Sequence, residues 1–278
     1  SSSSDDDDDD DTCVIRSADA GQYDLLVINS GANVVLQDLA FEGGARGVVI
    51  DAATTGAAYA VTLNGVRATA CAANGVTISA SGTAAVAVRA YGDTRAAANG
   101  GSGVAIDVSA TGGVSLDLDH ARFTNNANAG VLLDASGGAG DTAVAVADSL
   151  FEANGARGLD ATSAGSGAFN AHIDASSFDK NGADGAWLSH AAATAAHDAR
   201  VDVRRTTLLG NDGGGLVAHA AGAALDVALK QVKANGNRGG HGVHAAQTGA
   251  GALTAAVVRV DASTNGLSGV RLAEAGDG

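Results

Sequence analysis

Six ionisable residues in the second half of the chain could together do chemistry: His172, Asp174, Arg200, Asp202, Arg204 and Asp226. Carboxylates set among guanidinium groups can hold a hard cation such as calcium through oxygen ligands. An arginine, or His172 as the alternative base, could then take a proton from a bound substrate. Trp187 is the single tryptophan and is the residue here best suited to contact a sugar ring or a partner protein. Whether these side chains meet depends on the elements that carry them.

Those elements repeat. An apolar residue, two spacers, Asn, three spacers and Gly recur in Phe123 to Gly130, Phe151 to Gly158 and Phe178 to Gly185. The unit recurs in Ala96 to Gly103, Leu208 to Gly215 and Ala262 to Gly269, with looser copies at Phe41 to Gly47, Cys71 to Asn74 and Val232 to Asn235. The repeat asparagines are thus expected at 74, 99, 126, 154, 181, 211, 235 and 265, a spacing that clusters near ~27. Internal periods of this length mark solenoids and arrays.

Inside each unit the period is two. Leu116 and Leu118 alternate with Asp117 and Asp119, and Val201 and Val203 with Asp202 and Arg204. That is strand patterning. A second strand follows each repeat glycine, and no segment is long enough for a crossover helix. Each strand must therefore stack on its copy in the next coil. The prediction is an all-β chain: a right-handed parallel β-helix of about nine coils over residues 12–278. Asn-Gly pairs such as Asn154-Gly155 are expected to supply left-handed corners, with stacked asparagine amides forming an internal ladder.

Composition fits a narrow solenoid. The chain is 46% hydrophobic but only 3% aromatic, with no Pro or Met, so Ala, Val and Leu must fill the interior. Coils that touch only their neighbours need no bulky core. The net charge of −15 leaves no basic stripe for nucleic acid. No apolar run approaches the ~18 residues of a membrane span. Residues 1–11, SSSSDDDDDDD, are expected to be a disordered linker. Such a linker suits a surface lipoprotein tether whose anchor lies upstream, and without a signal peptide the chain reads as a mature or trimmed form. Weak calcium collection by this tail is the alternative. Cys13 and Cys71 are expected to be unpaired thiols, a bridge between them being the alternative.

The repeat and its Asn corners resemble the pectate-lyase-like superfamily of parallel β-helices. The resemblance spans nearly the whole chain after residue 24. It implies an active site on an outward sheet face, where carboxylates hold a cation against a uronate and Arg or Lys takes the C5 proton. Aligning the coils on the apolar residue before each Asn sets out the outward rows. They are Asp93 alone; Ser115, Asp117 and Asp119; Ala143, Ala145 and Ala147; Asn170, His172 and Asp174; Arg200, Asp202 and Arg204; and Ala224, Asp226 and Ala228. Alternating opposite charges on an exposed sheet are also ordinary cross-strand pairs, and the alanine row interrupts a carbohydrate groove. Gly240-His241-Gly242 resembles a polygalacturonase motif, but the companion Asn-Thr-Asp and Asp-Asp motifs are missing from the folded part. The epimerase Asp-Pro-His-Asp motif cannot occur without Pro. Asp119-His120 falls at a corner held by Asp38, Asp93 and Asp148 in other coils. On the other face, Asp160, Trp187, Val217, His244 and Arg271 are expected in one outward column, with Trp187 exposed.

The expectation is an extracellular or surface-tethered structural or adhesive module without catalysis and without a cofactor. Its partners would be a polysaccharide or another surface protein. A lyase, hydrolase or epimerase acting on uronic-acid polymers, with calcium, is the alternative. The uncovered last coil predicts either a chain continuing past Gly278 or rods stacking end to end.

Overall fold

Period-two patterning becomes strand geometry throughout. The computed structural model describes residues 13–17, 21–54, 58–138, 140–192 and 198–276; the Ser/Asp tail at 1–11 lies outside them. The described residues contain strands and no helix. The strands form three parallel sheets of nine, ten and nine strands, a β-solenoid of about nine turns. Sheet A runs from Cys13–Arg16 to Lys233–Asn235, sheet B from Leu26–Asn29 to Val270–Ala275, and sheet C from Val34–Gln37 to Leu253–Val258. Each coil visits B, C and A in turn. Sheet A was not legible as strand: its members are mostly three residues long, as in Leu150–Glu152.

Alternation decides which side chains go inside. In the sheet C strand Phe169–Asp174, Phe169, Ala171 and Ile173 are buried, whereas Asn170 and His172 face out. On sheet A, Phe41, Ala68, Ala96, Phe123, Phe151, Phe178, Leu208 and Ala234 form one inward column. The Phe151 and Phe178 rings stack with centroids 4.5 Å apart.

Beside that column runs the expected asparagine ladder, comprising Asn99, Asn126, Asn154, Asn181, Asn211, Asn237 and Asn265. From Asn99 to Asn237 each Nδ2 donates to Oδ1 of the next rung at 2.9 Å. It also donates to a sheet A backbone carbonyl, Phe123 O in the case of Asn154. Two expected rungs are corrected. Asn74 bonds Thr77 and Ser102, and Asn235 bonds Asp261 and Ser263. The ladder positions of those coils are held by Cys71, whose N–H donates to Asn99 Oδ1, and by Asn237. The inward anchors there are Ala68 and Ala234, not Cys71 and Val232. Both cysteines are free, and burial pushes the Cys71 thiol up.

The corners are also corrected. The left-handed residue is the one before the ladder Asn, as in Ala98, Ala153 and Lys180, with φ of 55°, 54° and 53°. Gly155, after it, serves close approach: a Cβ there would lie 2.3 Å from the Ala127 carbonyl. A second left-handed corner joins sheets C and A at Asp38, Asp93, His120 and Asp148, the column expected for His120. Hydroxyls follow it. Ser149 and Ser176 each donate to the carbonyl two residues back at 2.7 Å. Each also accepts an N–H from the preceding coil.

Candidate functional site

Sheet C carries the charged residues because its outward positions are free of packing demands. Its register places Asn170, His172 and Asp174 beside Arg200, Asp202 and Arg204, as expected. Arg204 holds Asp202 with both arms, Nε to Oδ1 at 2.9 Å and Nη2 to Oδ2 at 2.6 Å. His172 Nδ1 lies 3.5 Å from the same carboxylate. Asp174 is claimed by Arg205, a corner residue missed in the sequence, whose Nε donates at 2.9 Å and whose Nη2 contacts the second oxygen. That bond holds the Asp174 carboxyl below its ordinary value, and the Arg204 and Arg205 guanidinium groups are correspondingly raised by their carboxylate partners.

Two positions differ from the expected rows. Asp226 lies beside Arg200, 4.0 Å from its Nε, and Ala228 occupies the place next to Asp202. The inward anchor of this coil is Ala234 and not Val232, two residues earlier, and this moves the row by one outward position. In the third coil the outward residues are Ala87, Arg89 and Tyr91, not Asp93. Gly92 and Asp93 are both left-handed. Between them they hold one extra corner residue that inverts the alternation relative to the anchor Ala96. Arg89 therefore stands beside Asp117, 3.9 Å away.

With Arg89 in place the alanine row acquires a different meaning. Ala143 and Ala145 line a depression of about 450 Å³ between Ser115 and Asp117 on one side and Asn170 and His172 on the other, with Arg89 and Arg200 also in its lining. The methyl groups leave a gap one strand wide in an otherwise polar lattice.

On sheet B, Asp160, Trp187, Val217, His244 and Arg271 follow one another outward, as expected. Trp187 is half-buried rather than exposed. The Arg157 guanidinium lies over its ring, 4.2 Å from the centroid, and is itself held by Asp160 at 2.6 Å and Asp184 at 3.5 Å. Asp119, His120 and Asp148 bring three potential metal-ligand atoms within 4.8 Å of one another at an exposed corner. His120 Nδ1 already lies 2.7 Å from Asp119.

Comparison with protein-family models, curated proteins and solved structures found no match. The fold defines the chain as a parallel β-solenoid of about nine turns. No helix among the described residues is long and apolar enough to cross a membrane.

Proposed function

We propose that the chain is a non-catalytic structural or adhesive β-solenoid module, displayed outside the cell or tethered at its surface, with a polysaccharide or another surface protein as partner. The observation that carries this reading is the pairing of the candidate carboxylates. Asp202 is clasped by Arg204, and Asp174 by Arg205. A carboxylate already neutralised by a neighbouring guanidinium is a poor ligand for calcium, and the paired arginine is a poor base. Arg204 and Asp202 pair along one strand, and Arg205 reaches Asp174 in the neighbouring coil, where such a pair helps to hold the register of an exposed sheet.

A second reading rests on the depression over Ala143 and Ala145, where Arg89 and Arg200 make only long contacts with Asp117 and Asp226. There the chain would be a lyase, hydrolase or epimerase of the pectate-lyase-like superfamily acting on uronic-acid polymers. Incubation of purified protein with polygalacturonate and alginate, with and without calcium, separates the two. The proposal expects no ultraviolet-absorbing unsaturated product, no new reducing ends, no change in uronate epimer content, and no calcium-dependent rise in thermal midpoint. Product that disappears in Arg200→Ala would overturn it.

A further inference from the structure

The recess on sheet B beside Trp187 contains an arrangement of donors that lacks its acceptor. It encloses about 330 Å³ and is lined by Trp187, Val217, His219, His241 and His244, with Asp184 also in the lining. His241 is 8% exposed. The backbone N–H of Ser268 donates to its Nδ1 at 3.0 Å. That nitrogen is therefore unprotonated, and the neutral ring carries its proton on Nε2. Nε2 faces Arg271 Nη1 at 3.4 Å. A guanidinium has donors only, so this contact is no hydrogen bond. Two N–H groups converge on one point with no acceptor between them.

Among the described residues no acceptor is bonded to either group. Asp184 is already engaged, accepting from the Gly214 N–H at 2.6 Å and lying 3.5 Å from Arg157. The remaining lining is largely hydrocarbon and imidazole: Val217 and Trp187 are neighbours in register, and the His241 and His244 rings lie 5.0 Å apart. His241 is a buried donor without an acceptor, and its desolvation cost is one that an anionic oxygen would remove; Arg271, on the exposed last strand, adds positive charge beside it.

We infer that this recess binds a small carboxylate with an apolar body, one oxygen bridging His241 Nε2–H and Arg271 Nη1–H and the body lying against Val217 and Trp187. The inference goes beyond the structural reading above and does not depend on it, since a non-catalytic module can carry a ligand site. The histidine environment agrees with it. His244 is held below its ordinary value by burial, then by His241, Arg271 and His219. The site disfavours further positive charge until an anion enters.

Trp187, as the single tryptophan, is a built-in fluorescence reporter. Titration with benzoate should give a saturable change. Benzamide, the neutral analogue of the same shape, and inorganic sulfate, which lacks the apolar body, should each bind roughly tenfold more weakly or less. Arg271→Gln should weaken benzoate binding by roughly tenfold at an unchanged thermal midpoint, with Arg271→Lys restoring part of it. The groups facing the site are His219, His241, His244, Asp184, Arg157 and Arg271. Of these, His244 is held below its ordinary value, and a bound anion would favour its protonated form, so benzoate should bind more tightly at about pH 5.5 than at about pH 7.5. Absence of a saturable benzoate response, equal binding of benzamide or of sulfate, or an Arg271→Gln protein with unchanged affinity would each overturn the inference.

Discussion

A single ladder asparagine shows how the coils are joined. Asn154 donates to Phe123 O and to Asn181 Oδ1, and accepts from the backbone and side-chain nitrogens of Asn126. It is 1% exposed, so no water replaces a lost partner. Asn154→Ala is expected to lower stability by about 1–3 kcal/mol. Urea denaturation would show this as a lower midpoint at constant slope, and an unchanged midpoint would mean that the rung adds nothing to the rod. That such a column exists was legible from asparagines recurring near ~27 residues. Its membership was not fully legible. Asn74 and Asn235 also precede a glycine, yet they bond groups outside the ladder, mostly in the next coil, and the inward anchors Ala68 and Ala234 place Cys71 and Asn237 at the rungs instead.

At the scale of the strand and its corner, backbone conformation is the controlling quantity. Ala153 is left-handed, an arrangement that costs an L-residue roughly 1–2 kcal/mol. Gly155 avoids a clash with the carbonyl of the coil before it. Two opposite substitutions follow from this. Ala153→Gly should stabilise by about 0.5 kcal/mol, the relief of strain being partly offset by glycine's entropy. Gly155→Ala should destabilise by about 1–3 kcal/mol through overpacking. Equilibrium denaturation of both proteins checks the pair, and the reverse signs would place the left-handed residue after the Asn instead. Corners also limited what the sequence disclosed about the candidate site. Between Val201 and Val203 and their neighbours Ala171 and Ile173, alternation alone set the register correctly, and His172 met Asp202 as expected. The extra corner residue at Gly92 and Asp93 changed the parity of the preceding strand, and Arg89 escaped notice.

Across the whole molecule, ionisable groups perturbed by their neighbours set an acid limit. Asp24 and Asp174 are held below the ordinary carboxylate range by hydrogen bonds from Arg46 and Arg205. A depressed folded value means that their contribution is complete above about pH 4. It is lost as pH falls through the lowered folded values. His244 is also lowered, so its protonation favours the unfolded chain, and this penalty begins as pH falls below about 6.5. The thermal midpoint is expected to decline in two stages on acidification. His244→Gln should remove part of the first and Asp174→Asn part of the second. A midpoint that rises between about pH 6.5 and about pH 5 would contradict the sign assigned to His244.

By itself the sequence determined the solenoid: period-two alternation chose strands, the recurrence near ~27 residues chose stacking, and Ala, Val and Leu suited a narrow interior. These are properties of each repeat and its nearest neighbour, so a one-dimensional reading reaches them. Tertiary structure decided what depends on the offset between coils. It set Asp226 against Arg200 rather than Asp202, drew Arg205 onto Asp174, and laid Arg157 over Trp187. It also brought Ser268 and Arg271 to the two nitrogens of His241. Each of these contacts joins residues one coil or more apart, or a strand to its corner. A single inserted residue between such partners turns a side chain from one face of the sheet to the other.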